Sequence, residues 1–263
     1  MTVSDREPVT VLLPTHRLTP ELAIAVNSAL SDMADDDELL LILDGYEADT
    51  EFAQFSNDHR VRCLPHRPGG SLARALNFGV AAASNELVAR MDGDDVIIRG
   101  RLDAQQSYLA DHPEVVLVGG QVVRIDGNGR PLGKLNVPIG GDVRCELLTR
   151  NVCAHPSIMF RRSSLIAIGG YDESLSFSED YEMYLRLAKQ GAIANIGQVV
   201  LNYRVHEGQM SKRDKAFARH TFQILKRRSE LATFMRRSRA VQWARNGVWF
   251  VAQIARDVGL RGS

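Results

Sequence analysis

Three carboxylates follow directly on an apolar run in the sequence Leu-Val-Ala-Arg-Met-Asp-Gly-Asp-Asp at residues 87–95. Carboxylates this close together repel one another and raise one another's pKa. A hard divalent cation removes that repulsion, and such cations are typically held by one or two carboxylates together with substrate phosphates. Asp92, Asp94 and Asp95 therefore indicate a site for a metal ion and a diphosphate. The alternative is a solvated Asp-Gly turn, which commonly follows a strand.

A second acidic pair, Glu179 and Asp180, begins a helix predicted over residues 179–190. Ser178 is the predicted N-cap of this helix, and Gly191 its end. The positive end of the helix dipole stabilises carboxylates at this position, which is the ordinary explanation for such a pair. The functional alternative is a general base, because a carboxylate there could reach an incoming hydroxyl group.

Two histidines, His155 and His206, lie in predicted loops beside strands. A lone histidine is more often a surface or packed residue than a ligand. Because His206 follows a predicted strand, it could instead complete the metal site or contact a diphosphate. Arg204, two residues earlier, could pair with phosphate oxygens.

The elements that would position these side chains alternate along the first hundred residues. Apolar runs predict strands, and apolar residues at helical spacing predict helices; the strands are 9–13, 38–43 and 86–91, and the helices are 20–30 and 71–83. This order predicts a parallel sheet, covered on both faces because its strands are continuously apolar. Ligands bind at the carboxyl ends of such strands, where Thr15, Asp44 and the aspartate cluster lie. The glycine-rich dinucleotide fingerprint and the P-loop signature are both missing.

The second half of the chain has a more mixed pattern. A hairpin is predicted around Asp126-Gly127-Asn128-Gly129, and a strand is predicted to end at Gly119-Gly120. The remaining predicted strands are 115–118, 121–125, 132–135, 157–160 and 199–203, and the predicted helical segments are 99–111, 143–149 and 163–168.

Length and composition limit the classes of protein to which the chain can belong. With 263 residues and 44% hydrophobic composition, the chain can form one domain with a large core and an appendage. It has no apolar run near the length of a membrane span, no signal pattern, and three cysteines in no paired pattern. We therefore expect a cytoplasmic protein, either soluble or peripheral on the inner face of the plasma membrane.

The net charge of zero hides an asymmetry. Residues 212–263 contain thirteen basic and three acidic residues, a net charge of +10, so residues 1–211 carry −10. A basic tail on an acidic body favours an anionic surface such as lipid headgroups as the partner. No aromatic-basic interleaving, helix-turn-helix or zinc-finger spacing favours nucleic acid.

The tail is predicted to be helical from Thr221 to Val258. Apolar residues form one stripe along it, at Val241, Ala244, Val248, Val251, Ala255 and Val258, with Trp243, Trp249 and Phe250 nearby. Basic residues lie off this stripe, at Arg227, Arg228, Arg236, Arg237 and Arg239. This pattern is typical of an amphipathic helix at a membrane interface. The alternative is an appendage that packs on its own domain or forms a homodimer.

The chain resembles the family-2 glycosyltransferases, which are inverting nucleotide-sugar enzymes with a GT-A fold. The resemblance covers about residues 8–211 and rests on seven blocks in the family's order: VLLPTHR (11–17), LILDGY (41–46), GGSLARALNFGVAAASNELVARMDGDDV (69–96), RLDAQQSYLADHP (101–113), HPSIMFRR (155–162), GGYDESLSFSEDYEMYLRL (169–187) and LNYRVHEGQMS (201–211). It implies an α/β, Rossmann-like catalytic domain over 1–211, with a mostly parallel central sheet flanked by helices. Residues 212–263 would be a basic amphipathic helical extension.

The resemblance also assigns roles to individual residues. Asp92 and Asp94 would be the DxD pair, supported by Asp95 and His206, and would hold Mn²⁺ or Mg²⁺ on the diphosphate. Asp180, with Glu179 beside it, would be the catalytic base. Donor-nucleotide binding falls to Pro14, Thr15, Arg17, Asp44, Arg74, Asn77, Arg90, Asp92 and Gly93, and contact with acceptor or phosphate to His155, Tyr203 and Arg204. Two positions depart from the family's pattern, since Leu43 replaces the first of two aspartates and Leu76 replaces an arginine.

The implied activity is transfer of a sugar from a nucleotide-diphosphate sugar, with UDP favoured, to a hydroxyl group of a glycan, polysaccharide or lipid-linked acceptor. One alternative is a non-catalytic subunit that binds a sugar nucleotide. Another is a sugar nucleotidyltransferase, which should show a glycine-rich triphosphate loop near its N-terminus. Pro14-Thr15-His16-Arg17 is not such a loop.

Overall fold

The computed structural model of the chain describes residues 6–45, 52–66, 71–205 and 217–257. Within them the strands are β1 (Val9–Thr15), β2 (Glu38–Asp44), β3 (Val61–His66), β4 (Leu87–Arg90), β5 (Val96–Ile97), β6 (Val115–Ile125), β7 (Pro131–Leu135), β8 (Met159–Arg161) and β9 (Ala192–Arg204). The helices are α1 (Pro20–Asp32), α2 (Leu72–Ala82), α3 (Arg101–Asp111), α4 (Arg144–Leu147), α5 (Arg162–Ala167), α6 (Glu179–Leu187), α7 (Phe217–Phe234) and α8 (Arg239–Asp257).

One sheet contains all of these strands, in the order β3-β2-β1-β4-β8-β6-β9-β5, with β7 paired to β6. Strands β1 to β4 run parallel, so their carboxyl ends meet at one edge, as predicted. The rest of the sheet is mixed: β8 is antiparallel to both β4 and β6, and β9 is parallel to β6. The predicted α/β fold is thus confirmed, with parallel pairing dominant only in its first half.

Strands β1, β2 and β4 are buried on both faces, with alternate residues pointing to opposite sides. Val11 and Leu13 of β1 pack into the core on the side of α1. Leu12, between them, packs with α2 in the core on the other side. Helix α1 begins where Thr19 accepts a hydrogen bond from the Leu22 N–H, followed by Pro20 at a position that needs no donor.

Several strands differ from the sequence predictions. Strand β3 was not predicted, since Arg62 and Pro65 interrupt its apolar pattern, and the two-residue β5 is too short to give one. Strand β6 continues through Gly119-Gly120 rather than ending there. A Cβ on Gly120 would lie 2.6 Å from Val200 of β9, so the absence of side chains permits a close approach of strands.

The structure confirms Ser178 at the N-cap position of α6 but not its predicted capping of the helix. Ser178 has a φ of 60°, in the left-handed region, and its side chain makes no capping hydrogen bond. The first turn of α6 is instead stabilised by its three acidic residues at the positive end of the helix dipole.

The predicted C-terminal helical segment consists of two helices. Ile224, Leu231 and Ala232 of α7 are buried in the core that also contains α2 and α6. The predicted boundary between a catalytic domain and an extension, at 211/212, lies outside the described residues. Among the described residues, no helix combines the length and the apolar composition that a membrane crossing requires.

Gly79 in α2 tests the close packing of this helix on the sheet. A Cβ at this position would overlap Leu12 and lie 3.2 Å from Ile42, so we expect Gly79→Ala to lower the free energy of unfolding by about 1–3 kcal/mol. Gly247→Ala is the matched control, because it also lies within a helix but a Cβ there meets nothing within 4 Å. That variant should gain up to about 1 kcal/mol from helix propensity. Urea unfolding measures both, and equal effects would contradict the packing argument.

Candidate active site

The aspartate cluster follows β4 at the carboxyl edge of the parallel strands. Asp92, Asp94 and Asp95 each have a carboxylate oxygen within 4.8 Å of the others. Asp95 is fully buried, and its Oδ1 accepts a hydrogen bond from the Arg204 N–H at 2.9 Å. Its Oδ2 is buried without a hydrogen-bond partner among the described residues. Burial and the charges of Asp92 and Asp94 hold the pKa of Asp95 well above its usual range.

This donor set fits a hard divalent cation. The three side chains offer only oxygen ligands, which Mg²⁺ and Mn²⁺ prefer. Oδ2 of Asp95 is buried and has no hydrogen-bond partner among the described residues, and coordination to a cation would satisfy it.

Arg90 lies beneath the cluster. Its side chain is only 2% exposed and donates two hydrogen bonds to Asp92, from Nη1 to Oδ2 at 2.9 Å and from Nη2 to Oδ1 at 2.5 Å. Its charge also lowers the pKa of Asp95, Glu179 and Asp180 against the effect of burial. The sequence prediction made Arg90 a direct donor contact, whereas here its guanidinium is a buried counter-ion that fixes Asp92.

Two further arginines hold the same loop by its backbone. Arg101 is fully buried and donates from Nη2 to the Arg90 carbonyl oxygen at 2.8 Å. Arg204 donates from Nε to the Asp94 carbonyl oxygen at 2.8 Å, and from Nη1 to the carbonyl oxygens of Asp126 and Gly127. Arg204, predicted to contact acceptor or phosphate, is therefore engaged in positioning the cluster. Arg101 was not predicted as a site residue, because one arginine on a helix does not reveal its burial.

The tip of β1 lies directly beside the cluster. A Cβ on Gly93 would lie 3.6 Å from Thr15 Oγ1 and 3.2 Å from Leu22, so glycine allows the loop to approach β1 and α1. Thr15 is buried and its hydroxyl donates to the Arg17 carbonyl oxygen at 2.8 Å. Pro14 is buried and Arg17 is exposed. Pro14, Thr15, Arg17 and Gly93 thus lie at the predicted edge, and their contact with a nucleotide stays a prediction.

The tips of β2 and β3 bring a histidine to Asp44. These strands pair in register with Asp44 opposite His66, and His66 Nδ1 lies 3.2 Å from Asp44 Oδ1. The His66 ring also packs on Phe78 of α2, with ring centroids 5.2 Å apart. His66 was not predicted as a site residue because its strand, β3, was not predicted. A carboxylate and two rings at this edge can pair with and stack on a nucleobase.

Asn77 connects α2 to the segment that precedes α6. Its Nδ2 donates to the Tyr171 carbonyl oxygen at 2.9 Å and its Oδ1 accepts from the Tyr171 N–H at 2.8 Å. Arg74 is exposed and donates from Nε to Glu173 at 3.3 Å. Both were predicted donor contacts. The structure gives them protein partners at the rim of the site, and their contact with a donor stays a prediction.

Glu179 and Asp180 form the second acidic pair at the start of α6. Asp180 accepts two hydrogen bonds at 2.7 Å, one at Oδ2 from Asn151 Nδ2 and one at Oδ1 from the Tyr181 N–H. Burial raises the pKa of both carboxyl groups, and the Asp180 charge helps raise the pKa of Glu179 to about 7. Since its two hydrogen bonds favour the ionised form, Asp180 ionises first. Glu179 keeps its proton until the pH approaches 7.

His155 and Tyr203, both predicted to contact acceptor or phosphate, lie in different surroundings. His155 packs against Tyr171 and Tyr184, with Nε2 3.0 Å from the Tyr171 hydroxyl. Burial holds its pKa well below the usual range, so the ring is neutral. Burial and the three aspartates raise the pKa of Tyr203 to about 12, so its phenol keeps its proton. His206, predicted to bind metal or phosphate, lies outside the described residues.

Known proteins resemble this chain in sequence or in fold. Of the relatives with curated descriptions, the O-antigen biosynthesis glycosyltransferase WbnJ of Escherichia coli is 29% identical, over 80% of this chain and 84% of its own. The amylovoran biosynthesis glycosyltransferase AmsE of Erwinia amylovora is 31% identical, over 67% of this chain and 68% of its own. Among solved structures, residues 1–349 of S. aureus TarS in complex with UDP-GlcNAc match with a TM-score of 0.70 and 14% identity, over 92% of this chain and 71% of that one.

The TarS likeness confirms the predicted GT-A fold. Residues 10–169 match the family described as glycosyl transferase family 2, which covers more than half of the chain. The resemblance stated from the sequence is therefore confirmed: this chain belongs to glycosyl transferase family 2 and is a glycosyltransferase.

Proposed function

We propose that the chain transfers a sugar from a UDP-sugar to a hydroxyl group of a growing surface polysaccharide or its lipid-linked precursor, with inversion and with the help of Mn²⁺ or Mg²⁺. The observation that carries this proposal is the buried oxygen of Asp95 without a partner, within a cluster of three carboxylates. A sugar nucleotidyltransferase and a silent binding subunit, both considered from the sequence, are disfavoured by the family assignment.

The donor nucleotide would lie along the carboxyl edge of β1, β2 and β4. Asp44 would accept a hydrogen bond from the base, and His66 would orient Asp44 while it packs against Phe78. UDP is favoured because the TarS structure with the same fold contains UDP-GlcNAc. Biosynthesis of O-antigen and amylovoran by the two relatives supports a polysaccharide as the product.

The diphosphate would lie above Asp92, Asp94 and Asp95, which would hold the cation. When bound, the metal neutralises the charge that develops on the departing diphosphate. Arg90 would keep Asp92 oriented through its two hydrogen bonds, and Arg204 would keep the Asp94 backbone in place. His206 stays a predicted fourth ligand.

Asp180 would be the general base. Asn151 and the Tyr181 N–H orient its carboxylate and favour its ionised form. It would take the proton of the acceptor hydroxyl as that oxygen attacks the anomeric carbon. The bond from this carbon to the diphosphate oxygen breaks at the opposite face, so a single displacement inverts the anomeric centre. Holding both substrates in line supplies much of the acceleration.

Asp94→Ala tests the metal and the donor together. Loss of a ligand should remove several kcal/mol of transition-state stabilisation and lower turnover by roughly two orders of magnitude or more. It should also abolish the rise in melting temperature that UDP with Mn²⁺ causes in the wild type, because only ligands that bind the folded state stabilise it. Asp111→Ala, an exposed aspartate of α3, is the control and should behave as wild type. Donor stabilisation that survives both chelator and Asp94→Ala would exclude the proposed metal site.

Asp180→Asn and Glu179→Gln identify the base. We expect Asp180→Asn to lower turnover by about 10²–10⁴ at every pH. Glu179→Gln resembles the protonated form present below about pH 7, so it should stay active and lose only the inflection that Glu179 causes there. If Asp180→Asn kept full activity and Glu179→Gln were inactive, Glu179 rather than Asp180 would be the base.

Asn151→Ala tests the orientation of the base separately. Its loss removes a hydrogen bond that favours the ionised carboxylate, so the pKa of Asp180 should rise. Since the base acts in its ionised form, the increase of kcat/KM with pH should move to higher pH. An unchanged profile would show that Asn151 does not support Asp180.

A further inference from the structure

Large apolar side chains are exposed along α8, beside the exposed Arg239 and Arg245. Val241, Trp243, Val248 and Val251 are all exposed, with Trp243 at 80% and Val248 at 73%. The spacing of Val241, Val248 and Val251 corresponds to one continuous strip along a helix. We propose that this strip, the α8 surface, docks on an anionic lipid bilayer.

The orientation of α8 is fixed by its polar face, which is the buried one. Gln242 Nε2 donates to the Leu148 carbonyl oxygen at 3.0 Å and to Asn246 Oδ1 at 2.8 Å. Asn246 Nδ2 donates to the Leu225 carbonyl oxygen and to Ser229 on α7. Turning the valines inward would remove these hydrogen bonds and leave the α7 and α4 groups without them. The helix is therefore held with its apolar side outward, the reverse of a helix that faces water.

Charge favours a bilayer over a second copy of the chain. Residues 212–263 carry a net charge of +10. Arg236, Arg237, Arg239 and Arg245 are exposed at the start of α8 and in the turn before it. A symmetric dimer through the α8 surface would bring two segments of this net positive charge together. An anionic bilayer instead attracts basic residues beside an apolar face.

A cavity of about 510 Å³ lies between the start of α8 and the end of α4. It is lined from one side by Arg237, Val241 and Arg245, and from the other by the segment 145–149. This segment continues to Asn151, which hydrogen-bonds Asp180. Docking would therefore bring the base near the bilayer, where a lipid-linked acceptor presents its hydroxyl group. This last consequence rests on the proposed function, whereas the docking itself does not.

The two tryptophans of the chain provide a direct test in the absence of any substrate. Trp249→Phe leaves Trp243 as the only reporter, on the exposed face. Trp243→Phe leaves Trp249, which is half-buried over Arg228 with the guanidinium 4.5 Å from its ring. With phosphatidylcholine vesicles that contain phosphatidylglycerol, Trp243 emission should shift to the blue and Trp249 emission should hardly change. Vesicles of phosphatidylcholine alone, or high salt, should give a weaker response. No shift of Trp243 with anionic vesicles would overturn the proposal.

Val248→Glu tests the apolar strip itself. Val248→Glu would place a charge where the valine contacts the bilayer. The affinity for anionic vesicles in co-sedimentation should therefore fall at least about tenfold. Ile139→Glu is the matched control, because Ile139 is an equally exposed apolar residue outside α8. Melting temperatures and transfer to a soluble acceptor should match the wild type in both variants, so a failure of docking is distinguishable from a failure of the proposed function. Equal co-sedimentation of both variants, or a lipid-free dimer that only Val248→Glu dissociates, would overturn the proposal.

Discussion

Crowding of negative charge is the physical constraint on which the site depends. Five carboxyl groups surround the crevice: Asp92, Asp94, Asp95, Glu179 and Asp180. The buried cation that offsets them is Arg90, which pairs with Asp92 and lowers the pKa of carboxyl groups in both acidic clusters. Among the described residues, Arg90 pairs directly with Asp92, burial raises the pKa of Asp95 and Glu179, and one oxygen of Asp95 has no hydrogen-bond partner. This imbalance is the reason for proposing a cation at the site.

The sheet makes this crowding possible. Parallel pairing of β1, β2 and β4 aligns their carboxyl ends, so residues far apart in the chain meet without long loops. Behind the cluster, the side chains of Arg101 and Arg204 donate hydrogen bonds to the backbone carbonyl oxygens of Arg90 and Asp94. The rigidity of the loop therefore comes from the scaffold. Within the part of the chain that the structure describes, Oδ2 of Asp95 is left without a hydrogen-bond partner and can interact with a ligand.

The sequence predicted those parts of the molecule that local patterns encode. Apolar runs and helical spacing located most strands and helices, and the placement of Thr15, Asp44 and the aspartate cluster at one edge follows from parallel pairing. Burial, by contrast, depends on tertiary contacts. Nothing local distinguishes the buried Arg90 and Arg101 from surface arginines, or reveals that Asn151 reaches Asp180. His66 was missed because its strand has an irregular apolar pattern. The sequence left open which face of α8 packs on the domain, because polar and apolar stripes look alike whichever one faces the core.

The link between Asn77 and Tyr171 has a consequence for the timing of catalysis. Two hydrogen bonds join α2 to the segment that leads into α6, across 94 residues of sequence. The two halves of the crevice therefore form one frame before any substrate arrives. The proposed donor and base residues are then aligned by folding, so the entropic cost of aligning them is met once per molecule instead of once per turnover.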